Sequence, residues 1–256
     1  MFKNVSWKLK EHSELKKYGI DHNILLDVVS RERRKIYFDY WKNLPKLVTS
    51  SLGLKFTDGT PVDALYEVFI EGIYDVDGFR PKMGDVVVDV GANYGDSSIW
   101  WAKKKFGAKV IAFEPLADVF HELEKNIRIN HADVIAYNVA LGNGNFINGS
   151  KQGNMFVAGG QAKIQTSRLD DYTFDRLDLL KIDVEGFEHD VLLGARSTIS
   201  KFKPKIIIET HSVALRKLCH EFLISLGYSL SLEGRTIRAH SPGMDKVTNL
   251  FYSPII

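Results

Sequence analysis

VVVDVGANYGDSS, residues 86–98, reads as a buried strand that runs into a glycine turn and then a helix. Three valines in a row suit a strand covered on both faces. Gly91 and Gly95 let the backbone bend sharply and come close to a ligand, and Asp96, Ser97 and Ser98 are candidate caps for the helix that follows. A turn of this kind at the carboxyl end of a parallel strand lies where α/β sheets bind ligands. A dinucleotide fingerprint asks for G-x-G-x-x-G, but the corresponding residues here are Gly91, Asn93 and Asp96. Asn93 narrows the space for a pyrophosphate and Asp96 repels it, which disfavours NAD. Asp89, just before Gly91, is suited to hold an ammonium group, so an amino-acid-bearing nucleoside is the better expectation.

Outward from this turn, β-branched runs at 85–90, 109–114, 133–138, 179–184 and 205–210 alternate with helical stretches at 97–106, 116–129, 187–199 and 212–226. That alternation predicts strand-crossover-strand units and a doubly wound, mostly parallel α/β sheet. The Gly- and Asn-rich stretch 141–165 breaks the pattern and reads as a hairpin excursion or a loop. YSLSLEG and VTNLFYS, after Gly227, read as a closing hairpin with an antiparallel strand. Residues 1–80 have a different texture, with helical patterns at 14–30 and 31–44, a short strand at 54–56, and a helix carrying Leu65, Phe69 and Ile73. The expected domains are therefore an N-terminal helical cap at 1–80 and a nucleoside-binding domain at 81–256.

Glu114, at the end of the second strand and about 20 residues past the glycine turn, is placed to accept ribose hydroxyl protons. In KIDVEGFE, residues 181–188, alternation puts Lys181, Asp183 and Glu185 on one face of a strand and Ile182 and Val184 on the other. Asp183 and Glu185 are candidates to orient a hydroxyl nucleophile or take its proton. Glu188 reads as an exposed first-turn helix acid. His211, after IIIET, is the histidine best placed to face the same cleft, with Glu209 beside it. Asp183, Glu185 and His211 follow no standard metal-ligand spacing, so no metal is expected.

With 34 Lys and Arg against 32 Asp and Glu in 256 residues, the net charge of +2 is weak support for a dedicated nucleic-acid binder. RERRK, residues 31–35, followed by Tyr37, Phe38, Tyr40 and Trp41, mixes basic and aromatic residues as stacking platforms do, which keeps an enzyme acting on RNA or another nucleic acid as the alternative. One cysteine, Cys219, excludes an intrachain disulfide framework. No apolar run approaches the roughly 20 residues of a membrane span, and the opening residues lack a secretory apolar core, so a cytoplasmic protein is expected. The pattern leaves open a homo-oligomer and a non-catalytic, adenosyl-ligand-binding partner protein.

DVGANYGDSS (89–98), AFEP (112–115), LEKNIRIN (123–130), YNVALG (137–142), KIDVEGFEHDVLLGA (181–195) and IIIETH (206–211) together resemble the FkbM-type family of S-adenosylmethionine-dependent methyltransferases. The resemblance covers about 85–211, with a fainter echo at 65–85. It implies a class I methyltransferase fold, S-adenosylmethionine as donor, and a hydroxyl acceptor on a sugar, glycan or polyketide-like small molecule. By position, Asp89, Gly91, Ala92, Asn93 and Gly95 would surround the methionine part and Glu114 the ribose. Asn138 and Ala140 would lie by the adenine, and Asp183 would face the methyl group and the acceptor. In that reading Asp183 or His211 removes the hydroxyl proton and Glu185 orients the acceptor. Residues 1–64 and 143–165 carry no motif that the resemblance places, and substrate choice is expected to lie there.

Overall fold

The computed structural model describes residues 49–103, 106–237 and 247–255. The chain divides into two compact units, Met1–Gly72 and Ile73–Ile256. In the first unit, α1 (Val62–Tyr66) continues as a π-helical turn, Glu67–Glu71, that ends at Gly72 in the left-handed conformation. Leu65 and Phe69 are buried there, as their spacing predicts. Leu54 is buried too, but 54–56 belongs to no strand, and the helical patterns at 14–44 lie outside the described residues.

The second unit carries the sheet. Its strands are β1 (Val86–Val90), β2 (Lys109–Phe113), β3 (Val134–Tyr137), β4 (Ala140–Leu141), β5 (Phe146–Gln152), β6 (Met155–Ala158), β7 (Ala162–Ser167), β8 (Leu179–Ile182), β9 (Lys205–Thr210), β10 (Tyr228–Ile237) and β11 (Val247–Pro254). Seven of them form the main sheet in the order β10-β11-β9-β8-β1-β2-β3. The five runs marked out in the sequence pair in parallel, and β11 enters antiparallel between β9 and β10. This is the class I methyltransferase, Rossmann-like arrangement, with the order reversing between β1 and β8. At such a switch the strand ends splay and leave a crevice.

The helices are α2 (Asp96–Ala102), α3 (Ala117–Asn130), α4 (Glu188–Gly194), α5 (Arg196–Phe202) and α6 (Val213–Ser225). Ser212 caps α6 by accepting the Leu215 N–H at 3.1 Å. Alternation sorts the faces of the central strands. Val88, Val90, Leu180, Ile182, Ile206 and Ile208 join one core cluster with Leu192 and Leu223 from the helices. Each such fully buried side chain contributes roughly 1.5–3 kcal/mol. Asp89 and Lys181 fall on the opposite face.

The structure bears out the hairpin reading of 141–165 and extends it, and it differs from the expectation at 187–199. Residues 141–165 belong to a second, four-stranded sheet, β4-β7-β5-β6, so the excursion is a folded one. The single helix expected at 187–199 is two helices, broken at Ala195 (φ −112°, ψ 6°). The break follows Gly194, where a Cβ would stand 1.8 Å from the Gly142 carbonyl oxygen. Backbone packed this closely against backbone leaves no room for a side chain. Replacing Gly194 by alanine should therefore destabilise the protein by about 2 kcal/mol, although alanine is the better helix former by roughly 1 kcal/mol. A lower urea midpoint at unchanged slope is the expected readout, and an unchanged or higher midpoint would show that the contact relaxes freely.

Candidate functional site

The glycine turn hangs on β1. Gly91 (φ 76°), Asn93 (φ 49°) and Gly95 (φ 84°) alternate in the left-handed region. The N–H groups of Gly91 and Ala92 both donate to the Phe113 carbonyl at 3.0 Å, which ties the turn to the end of β2. A Cβ on Gly91 would lie 1.8 Å from the Asp183 carbonyl oxygen, so the ends of β1 and β8 touch backbone to backbone and only glycine fits.

Below the turn sits a buried ion pair. Asp89 and Lys181 are cross-strand neighbours in register, 0% and 3% exposed. The Lys181 ammonium lies 2.9 Å from Asp89 Oδ1 and donates to the Gly91 carbonyl at 3.0 Å. Burial alone would lower its pKa, but the carboxylates of Asp89 and Asp183 outweigh that and hold it above the usual lysine value. Asp89 Oδ2 accepts the hydroxyls of Ser97 (2.8 Å) and Ser98 (2.6 Å). These serines therefore anchor α2 to the sheet and are not helix caps. Gly95 is the N-cap residue, and Asp96, its carboxyl pushed up to about 7 by burial, accepts the adjacent Ser97 N–H at 2.6 Å.

An open cleft of about 630 Å³, solvent space included, lies at the carboxyl ends of β1, β2 and β8. Of the residues expected around donor and acceptor, Gly91, Asn93, Glu114, Ala140, Asp183 and Glu185 line it, and Asp89, Ala92, Gly95, Asn138 and His211 do not. Asn138 instead bridges the carbonyls of Glu114 (2.8 Å) and Pro115 (3.0 Å). Glu114 is 5% exposed; Oε2 accepts the Asn93 N–H at 3.0 Å and Oε1 the Leu116 N–H at 2.9 Å. Burial pushes its carboxyl up to about 7. The second sheet supplies the facing wall through Ile147, Asn154, Met155 and Phe156, none of which the sequence pattern pointed to. It is tied in by Asn154 Nδ2, which donates to Asn93 Oδ1 at 3.2 Å, and by the Ala158 N–H, which donates to the Glu185 carbonyl at 3.1 Å.

The acidic strand ends converge on His211, which is 3% exposed. Its Nδ1 is 2.8 Å from Glu188 Oε1, and its Nε2 is 3.2 Å from Glu185 Oε2 and 3.9 Å from both Asp183 Oδ1 and Glu209 Oε2. Burial opposes the charged ring, but Glu188 above all, then Glu185 and Glu209, raises its pKa well above the ordinary histidine value. With a carboxylate at each nitrogen, the ring offers no lone pair to a substrate proton. Glu188 is fully buried, contrary to the exposed helix acid expected, and its Oε1 also accepts the Gly186 N–H at 2.8 Å. Its helix turns inward under the cleft, which a local charge pattern cannot reveal.

Asp183 Oδ2 accepts the Tyr74 hydroxyl at 2.9 Å, a contact across 109 residues with no local sequence signal. Burial raises the Asp183 pKa, and Lys181, His211 and Tyr74 outweigh it to give a net lowering. Burial pushes Glu185, in left-handed backbone at φ 54°, up to about 7.

The family model of the methyltransferase FkbM domain matches residues 89–230. The methyltransferase sdnD of Sordaria araneosa is 26% identical over 216 residues, 66% of this chain and 82% of that protein. The AMB antimetabolite synthetase AmbE of Pseudomonas aeruginosa is 28% identical over 196 residues, 57% of this chain, and the match spans 9% of that protein. Among solved structures, methyltransferase FkbM from Methylobacillus flagellatus KT is 22% identical, with a TM-score of 0.49 over 83% of this chain and 60% of that one.

Replacing Lys181 by methionine leaves Asp89 buried without its cation and should cost about 3–5 kcal/mol in chemical denaturation. Adding Asp89→Asn, which still accepts from Ser97 and Ser98, should recover part of that loss. A double variant no more stable than Lys181→Met alone would mean that the ammonium acts mainly through the Gly91 carbonyl.

Proposed function

Because the chain belongs to the family of the FkbM methyltransferase domain, matched over residues 89–230, we propose that it transfers the methyl group of S-adenosylmethionine to a hydroxyl oxygen of a small molecule or glycan. The observation that carries this reading is the cleft at the carboxyl ends of the parallel strands, lined by both Glu114 and Asp183. The residues fit the donor. Each Glu114 oxygen accepts one backbone N–H, so each keeps a lone pair for a ribose hydroxyl. Phe113, Val139, Ala140 and Leu141 offer an apolar surface to the adenine. Asp89, outside the lining, is a positioning residue that holds the glycine turn in place.

When bound, the donor supplies an electrophilic methyl group on a sulfonium. The chain's task is then to hold the acceptor oxygen in line with that methyl and to remove its proton. His211 is bracketed by Glu188 and Glu185 and is assigned to positioning. Asp183 already accepts the Tyr74 hydroxyl and faces Lys181 at 3.8 Å, which makes it the weaker base. Glu185 lines the cleft with fewer donors on it, so it takes the proton and Asp183 orients the acceptor, the reverse of the roles the sequence suggested. With the donor bound, the methyl would pass to the acceptor oxygen with the leaving electron pair kept on sulfur, and Glu185 would hold the hydroxyl proton.

Calorimetric titration with S-adenosylmethionine, S-adenosylhomocysteine and NAD tests the donor. Binding of the two adenosyl ligands, lost in Glu114→Ala and absent for NAD, is expected; no binding to folded protein would overturn the proposal. Because Glu114 must be ionised to accept two hydroxyls, donor affinity should fall as the pH drops below about 7, by up to tenfold per unit, and stay flat in Glu114→Gln. Once an acceptor is in hand, Glu185→Gln should lower kcat by about 10²–10⁴ with donor affinity intact. A wild-type rate in that variant would return the base role to Asp183.

A further inference from the structure

We propose that Asp183, Glu209 and His211 form a binding site for one divalent transition-metal ion, of the class of Mn²⁺ or Zn²⁺, beside the cleft that Asp183 lines. One donor atom from each of the three lies within 4.8 Å of the other two. The chain spacing hides this site: 183, 209 and 211 match no ligand motif, and the sequence reading expected no metal. They meet because β8 and β9 are parallel neighbours, with Ile182 opposite Ile208. That register sets Asp183, just past the end of β8, level with Glu209 near the end of β9, and His211 follows two residues on.

Three further observations point to a cation. Glu188, fully buried, holds His211 through Nδ1 at 2.8 Å and turns Nε2 toward the carboxylates of Asp183, Glu185 and Glu209. A carboxylate behind an imidazole, fixing the ring so that its other nitrogen faces an acidic cluster, is the usual support of a metal-ligating histidine. Asp183 Oδ1, 3.9 Å from Nε2, is buried and meets no donor at hydrogen-bond distance among the described residues. An acceptor in that state is costly unless something positive meets it. Charge points the same way. Around His211 and Lys181 stand Asp89, Asp183, Glu185, Glu188 and Glu209, five carboxylates against two cations among the described residues.

A metal ion would replace the Nε2 proton and serve the same carboxylates with twice the charge. Two carboxylate oxygens and one imidazole nitrogen suit Mn²⁺ and Zn²⁺ better than Mg²⁺, which prefers oxygen alone. Glu185 stays beside the ion, 3.2 Å from Nε2. On the methyl-transfer reading above, and only there, the ion would polarise the acceptor hydroxyl whose proton Glu185 removes.

The test needs neither donor nor acceptor, so its outcome is independent of the methyl-transfer reading. Chelator-stripped full-length protein is titrated with Mn²⁺, free ion is followed by electron paramagnetic resonance, and Zn²⁺ is added as competitor. One equivalent of Mn²⁺, displaced by Zn²⁺, is expected. Glu209→Gln and His211→Ala should each weaken binding at least tenfold, and Glu188→Gln, which spares every ligand, by about tenfold. Glu209→Gln can still accept the Asn249 amide that Glu209 Oε1 accepts at 3.0 Å, so it reports on the metal even if His211→Ala fails to fold. No stoichiometric binding of either ion, or binding that Glu209→Gln leaves unchanged, would overturn the proposal.

Discussion

The ammonium of Lys181 is the point on which the geometry of the cleft depends. Two central strands meet where the strand order reverses, and their ends must hold a fixed separation for the glycine turn to keep its shape. Lys181 sets that separation by reaching from β8 to the Asp89 carboxylate and to the carbonyl of the turn's first residue. Taking such a pair out of water costs several kcal/mol per ion before any attraction is counted. Here the cost is offset by multiple partners, since Asp89 also receives two serine hydroxyls from α2. One buried network thus joins β1, β8, the turn and the helix after it.

The same face continues upward into the acidic strand ends, where positioning follows a second rule. Asp183 is held by Tyr74, Glu188 holds His211, and Glu185 is fixed by its backbone, whose left-handed conformation costs about 1–2 kcal/mol and is braced by the Ala158 N–H. Few of these side chains are free to swing. A crowd of carboxylates at this density stays together because neighbouring backbone and buried partners leave it no alternative.

What the sequence made legible was what is local. The valine and isoleucine runs, the glycine turn and the helical spacing of α3 and α6 lie in patterns a few residues long, and the structure puts each within a residue or two of its expected bounds. Glu114 and Asp183 were readable for the same reason, since each ends a recognisable strand. The buried state of Glu188, the tyrosine on Asp183, the break at Ala195 and the carboxylate–imidazole cluster all depend on pairs far apart in the chain. Gly194 shows the difference well: it reads as a tolerated helix glycine until the Gly142 carbonyl is seen against it. The second sheet was ambiguous because its glycines and asparagines suit turns and loops, and its strands gain their order from pairing with one another.

That second sheet leaves the main one after β3 and returns before β8 as a single continuous insertion, closed on itself by its own ladders. It touches the cleft through side chains and two hydrogen bonds, and no main-sheet register runs through it. The wall and the frame therefore answer to different pressures. Cleft-lining side chains of that sheet such as Met155 can change in size and polarity while the strands that carry Asp89, Glu114 and Asp183 stay as they are. The chain can drift toward new molecular tastes along one side of its mouth without loosening its jaw.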